Sequence, residues 1–313
     1  MMKKILRFIL KSIIVILLGI VVFLAVVFIV NIISNKVEKG KIESYGQLVP
    51  VDGKNINVMI QGKGTETVVL LPGYGTGAPA LDFKPLVEEL APYYKVVVIE
   101  PFGYGLSDVT EKERTTENIV NEIHETLHQL NIDRYTLMGH SISGIYGLDY
   151  VNKYENEVSA FVGIDSSVPT QGGLDEPFPS DIYKVLKKSG FLRLQMKLTE
   201  DQLIAPKVDD ETREQIRIIL LKNMMNPNII SEGENFQSNF KAAEELKFPK
   251  NLPVIFFLEE NNTDVEGWEE KHEEQIKDLV NGKMMTFEGT HYLHHTRSKE
   301  IVENFRSFMG NLK

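Results

Sequence analysis

The stretch Met138-Gly139-His140-Ser141-Ile142-Ser143-Gly144 holds the residue types that nucleophilic catalysis needs. A serine hydroxyl is a weak nucleophile and attacks only when a neighbouring base takes its proton. It must also stand clear of the surrounding backbone. A tight strand-to-helix turn achieves this if the residues two before and two after the serine are small. Gly139 and Ser143 both are. A second concentration of reactive types lies near the C-terminus, where His291, His294 and His295 fall close together. Three histidines on one turn could ligate a metal. No carboxylate motif accompanies them, and no metal is expected. The chain has no cysteine, which excludes disulfides, thiolate catalysis and cysteine-bound metals.

The elements around these residues alternate. Gly46 to Ile60 predicts a hairpin turning at Asp52-Gly53. Short apolar runs predict buried strands at 67–71, 95–100, 135–138, 160–164, 253–258 and 283–287. Helical patterns fall between them, at 81–90, 115–130, 141–154, 268–280 and 298–309. Such alternation implies a mostly parallel sheet covered by helices on both faces. Ser141 then sits where the strand 135–138 gives way to a helix. One stretch breaks the pattern. From about 167 to 251 there is no convincing strand, only helical candidates near 180–189, 191–198, 210–225 and 234–246. It reads as a helical insertion within one domain spanning 36–313.

The first 35 residues differ from the rest. No charged residue occurs from Ser12 to Asn35. About 22 residues at roughly 1.5 Å each span about 33 Å, enough to cross a hydrocarbon core. A cleaved signal peptide has a shorter apolar region and a small-x-small site. Here the run is longer and lacks an A-x-A pattern, so residues 1–35 are expected to form an uncleaved single-pass membrane anchor. Four basic residues precede the span (Lys3, Lys4, Arg7, Lys11) and three follow it (Lys36, Lys39, Lys41). That bias favours a cytoplasmic N-terminus and an extracytoplasmic globular part.

From about Gly46 onward the chain resembles the α/β-hydrolase family, in the branch with a helical cap after the sixth strand. Besides the serine turn, three segments carry the likeness. They are Leu71-Pro72-Gly73-Tyr74-Gly75, Pro101-Phe102-Gly103-Tyr104-Gly105-Leu106-Ser107-Asp108 and Gly289-Thr290-His291. Two departures stand out: Ser143 where glycine is usual, and Pro72 where histidine is usual. The resemblance implies Ser141 as nucleophile and His291, after the last strand, as general base. It implies backbone N–H groups of Tyr74 and Ile142 as the oxyanion hole. The acid belongs after the seventh strand, where the usual aspartate position falls near Asn262, which carries no charge. Asp264, two residues on, is the expected acid. Glu260 in the same loop and Asp165 after the sixth strand are the alternatives. The mechanism implied needs no metal or organic cofactor.

The full chain has a net charge of −10, and the N-terminal 35 residues contribute +4. The remaining −14 does not suit a nucleic-acid partner, whose phosphates need a basic face. The expected activity is hydrolysis of a carboxylic ester or small lipid through an acyl-enzyme. The same triad would serve an amide, a peptide or a carbon–carbon bond, and a binding module on this fold is a third reading.

Overall fold

A computed structural model describes residues 2–173 and 176–312. The chain divides into two compact units, residues 1–42 with 179–200, and residues 43–178 with 201–313.

The larger unit is built on an eight-stranded sheet. Its strands are β1 (Gln47–Val51), β2 (Lys54–Gln61), β3 (Thr67–Leu71), β4 (Lys95–Glu100), β5 (Tyr135–His140), β6 (Val158–Ile164), β7 (Val254–Glu259) and β8 (Gly282–Phe287). Their spatial order is β1-β2-β4-β3-β5-β6-β7-β8. β1 and β2 form an antiparallel hairpin, β2 runs antiparallel to β4, and the other pairs are parallel. The hairpin turns at Asp52 and Gly53, both at positive φ, as a two-residue turn with the twist of its strands requires.

The inner strands β3 to β7 are largely apolar because both of their faces are covered. Side chains alternate between them. Val69, Leu71, Val97, Ile99 and Leu137 pack in one core with Ile119, Ile123, Tyr146 and Phe240. Val68, Leu70, Val96, Val98 and Met138 pack in the other with Phe83, Leu86, Leu90, Ile301 and Phe305.

The helices are α1 (Met2–Lys39), α2 (Pro79–Asp82), α3 (Lys84–Leu90), α4 (Thr116–Gln129), α5 (Ser143–Lys153), α6 (Ser180–Ser189), α7 (Phe191–Leu203), α8 (Asp210–Asn223), α9 (Pro227–Glu234), α10 (Phe236–Ala243), α11 (Trp268–Ile276), α12 (Leu293–Thr296) and α13 (Ser298–Gly310). The single helix expected over 81–90 is divided at Phe83, and Pro85 opens its second part in the first turn, where its missing N–H costs nothing. The expected helix over 234–246 is α10, and a further helix, α9, precedes it where none was expected. Pro227 starts α9, and the Asn226 side chain caps it by accepting from the N–H groups of Asn228 and Ile229. Among the described residues, 167–251 holds no strand.

The smaller unit joins α1 to α6 and to α7 as far as residue 200. Its polar contacts centre on Arg193, which is buried. The guanidinium donates to both carboxylate oxygens of Glu38 at 2.7 Å, to Asn35 Oδ1 at 2.6 Å and to Asn31 Oδ1 at 3.2 Å.

Candidate active site

β5 ends at His140, and the chain turns into α5 through Ser141. Ser141 has φ of +54°, a left-handed conformation that non-glycine residues seldom hold without support. Three backbone bonds supply it. Ser141 N–H donates to Ile164 O at 3.2 Å, while its own carbonyl accepts from Gly144 N–H at 2.9 Å and Ser167 N–H at 2.7 Å. The need for small flanking residues is visible here. A Cβ on Gly139 would stand 2.9 Å from Ser143 O and 3.0 Å from Ser143 Cβ. Ser143 also does what glycine could not. Its hydroxyl donates to Pro72 O at 2.6 Å, tying the turn to the loop after β3. That loop packs on the serine directly, since a Cβ on Gly73 would lie 3.0 Å from Ser141 Cβ.

His291 follows β8 and keeps 40% of its side chain exposed, so its ring is accessible. Its Nδ1 lies 2.6 Å from Asp165 Oδ2. A carboxylate only accepts, so Nδ1 carries the hydrogen, and in the neutral ring this leaves the lone pair on Nε2. Asp165 is fully buried just past β6 at φ of +39°. Its other oxygen accepts from Glu259 N–H at 2.9 Å and from Trp268 Nε1–H at 3.1 Å. Both oxygens are thus fixed. Partial burial, and then the nearby Asp165 charge, push the Glu259 carboxyl above its usual range.

The expected acid is corrected by this geometry. Asp264 is exposed, and its N–H donates to Asn262 Oδ1 at 3.0 Å, as does Val265 N–H at 3.1 Å. Asn262, at the usual position of the acid, folds its own loop into a turn instead. Glu260 is exposed too. Of the three candidates, Asp165 is the one paired with His291.

His294 and His295 are not grouped with His291 around a common point. Their Nε2 atoms each lie 2.8 Å from a different oxygen of buried Asp82. These three residues have ligand atoms within 4.8 Å of one another and could hold a cation. Their spacing suits two N–H groups donating to one carboxylate. Burial lowers the His294 pKa to about 4. His140 lies between the two histidine groups, with ring centroids 4.6 Å from His291 and 4.5 Å from His294. Burial, then those neighbouring imidazoles, hold it well below the usual range, so it is neutral. Its Nε2–H donates to the carbonyl of His291 at 3.0 Å and so fixes the backbone of the base.

The loop carrying Tyr74 is also fastened from the insertion. Tyr74 OH donates to Ile229 O at 2.9 Å. Gly75 N–H donates to Tyr104 OH at 3.2 Å, and Tyr104 OH donates to Glu232 Oε2 at 2.6 Å. Tyr146 OH donates to the second oxygen of Glu232 at 2.7 Å. Burial raises the Glu232 carboxyl above its usual range. Sequence reasoning assigned no role to Tyr104 or Glu232. Tyr104 lies in the glycine-rich segment quoted above, whereas nothing near Glu232 signals its partners. A cavity of about 110 Å³ opens beside this loop, lined by Tyr74, Gly75, Ile216, Leu220 and Tyr292 among others.

Residues 66–193 match the family described as alpha/beta hydrolase fold. An epoxide hydrolase from Bacillus megaterium superposes with a TM-score of 0.68 at 15% identity, covering 85% of this chain and all of that one. This chain has the α/β-hydrolase fold.

Relatives by sequence fit that placement. The chain is 29% identical over 257 residues to the uncharacterized protein YbdG of Bacillus subtilis strain 168, covering 79% of each chain. It is 26% identical over 184 residues to the 2-hydroxy-6-oxo-6-(2'-aminophenyl)hexa-2,4-dienoic acid hydrolase of Metapseudomonas resinovorans, covering 57% of this chain and 59% of that one. Ser141, Asp165 and His291 follow β5, β6 and β8 in turn, with the aspartate that pairs with the histidine one strand earlier than the expected Asp264.

Proposed function

We propose that this protein is a serine hydrolase that cleaves a carboxylic ester or small lipid through an acyl-enzyme on Ser141. The observation that carries this reading is the His291–Asp165 pair, which leaves Nε2 of an accessible imidazole ready to take a proton. His291 removes the Ser141 proton as the hydroxyl attacks the carbonyl, and returns it to the leaving alcohol. Asp165 holds the tautomer and stabilises the imidazolium. Water then attacks the acyl-enzyme by the same route. The backbone N–H groups of Ile142 and Tyr74 receive the oxyanion, a contribution of several kcal/mol when such donors are pre-aimed. Serine at the turn argues against reactions that begin with a carboxylate nucleophile.

On this reading α1 is an uncleaved membrane anchor and the catalytic unit lies outside the cytoplasm. The bonds from Arg193 to Asn31, Asn35 and Glu38 favour retention of the helix, because its removal would strip a buried guanidinium of its partners. Substrates are small molecules, lipids among them.

The full-length protein should react with a fluorophosphonate probe, and the adduct should map to Ser141 by mass spectrometry and vanish in His291→Ala. Labelling that survives His291→Ala, or an adduct elsewhere, would sink the assignment. An ester panel that also contains the dienoic acid substrate class of the Metapseudomonas relative would then define the bond.

A further inference from the structure

We infer that the α6–α7 hairpin is a second membrane contact, seated in the bilayer beside the anchor with its exposed apolar side chains in lipid. The inference rests on the proposed reading of α1 as a membrane span.

The argument starts from the position of the charges in α1. Lys11 is the last charge on the N-terminal side. A hydrocarbon core needs about 20 residues of helix. A span that begins after Lys11 therefore extends to about Asn31. Phe23 and Val27 lie inside that span, about 12 Å and 6 Å before Asn31 at roughly 1.5 Å per residue.

The hairpin touches α1 at those two levels. The Phe191 ring packs on Phe23, with centroids 6.3 Å apart. Gly190 approaches so closely that a Cβ there would stand 3.0 Å from Val27 O and 2.7 Å from Asn31 Cβ. Gly190 is also at φ of +90°, as the link between two helices requires. Further along α1, Arg193 takes Asn31, Asn35 and Glu38. If Phe23 and Val27 are in hydrocarbon, then Gly190 and Phe191 are beside them. The polar clamp from Arg193 follows at the level where charge again becomes tolerable.

The composition of the hairpin fits. Ile182 and Val185, one turn apart on α6, are 61% and 65% exposed. Lys184, Lys187 and Lys188 lie in the same ten residues. Apolar side chains beside lysines suit a helix in the headgroup region, and the lysines favour anionic lipid. Both segments are helical, so their backbone groups are satisfied at that depth. Phe191 and Val185 belong to the insertion in the catalytic chain, so the surface contact is built from that insertion and not from the anchor alone.

The natural absence of cysteine allows a direct test. Full-length protein carrying one of Ile182→Cys, Val185→Cys, Leu17→Cys or Glu269→Cys is labelled with an NBD fluorophore. It is then reconstituted in vesicles of phosphatidylcholine and phosphatidylglycerol containing nitroxide-labelled lipid. The label at Leu17→Cys reports the anchor, and that at Glu269→Cys, on an exposed position, reports water. Labels at Ile182→Cys and Val185→Cys should lose most of their emission, as at Leu17→Cys. Glu38→Ala, which breaks the clamp from the anchor side, should reduce that loss while the Leu17→Cys signal stays. Quenching at Leu17→Cys with water-like emission at both hairpin positions overturns the inference and leaves the anchor standing. No quenching at Leu17→Cys removes the anchor reading and the inference together.

Discussion

Asp165 reaches His291 from a backbone that no sequence pattern announces. The carboxylate is delivered by a left-handed residue at the end of β6 and held on its far oxygen by Glu259 N–H and Trp268 Nε1–H. Asp165→Asn would present an amide where the imidazole needs an acceptor, favouring the wrong tautomer. Fluorophosphonate labelling of Ser141 should slow by about 10³ to 10⁴-fold. Asp264→Asn, at an exposed turn, should leave the rate nearly unchanged, and the comparison of the two labelling rates decides the acid. His294 offers a second test at this scale. Its folded pKa, about 4, lies below the ordinary value near 6.5, because burial disfavours the charged ring. A depressed pKa contributes stability that is fully present above about 6.5 and is lost as pH falls toward about 4. The loss from this residue amounts to about 3 kcal/mol. Urea midpoints measured from pH 7 to 4 should therefore fall more steeply for wild type than for His294→Asn, which cannot take the proton.

The elements that place these groups are tied to one another by buried polar bonds. The loop after β3, the loop after β4 and helix α9 meet through Gly75, Tyr104 and Glu232. Tyr104→Phe would leave Gly75 N–H and one oxygen of Glu232 without a partner, a cost of about 1–3 kcal/mol. The urea midpoint should drop accordingly, and labelling at Ser141 should slow because the Tyr74 segment loses its fastening. Unchanged labelling would mean that the loop holds its shape without Tyr104. At this scale the sheet was well specified by sequence, since continuous apolar runs such as Val96-Val97-Val98 have to be buried on both faces. The positions of Ser141, just after β5, and of His291, in the loop after β8, were legible for the same reason. Asp165 was not singled out, because its placement depends on a φ of +39° and on Trp268 from a distant helix. The α2–α3 division and helix α9 were missed, the first where Phe83 interrupts the helical spacing and the second where Pro227 and the Asn226 cap start a helix.

The molecule as a whole is assembled from a sheet-based unit and a smaller unit that joins α1 to part of the insertion. Glu38 is the ionic partner of Arg193, and both side chains are largely buried, at 13% and 6% exposure. Deleting residues 1–42 would leave the guanidinium uncompensated, and breaking a buried pair from one side costs about 3–5 kcal/mol. Trypsin should then cut the truncated protein faster within residues 180–197, which contain Lys184, Lys187, Lys188 and Arg193, while the sheet resists. Mass spectrometry of the first fragments reads the outcome. Equal cutting in full-length and truncated protein would show that the hairpin does not depend on α1.

The Arg193 clamp also imposes an order on biosynthesis. Its partners are 155 residues apart in the chain. At about 5–20 residues per second, α1 is complete roughly 8 to 30 seconds before Arg193 is made. During that interval Asn31, Asn35 and Glu38 wait without their guanidinium, and the first strands are already available to pair. The contact that closes the smaller unit is thus a late, long-range event, whose loop-closure entropy is offset only once most of the sheet has shortened the path between its ends. A helix synthesised first thus becomes the surface on which part of the insertion is completed much later.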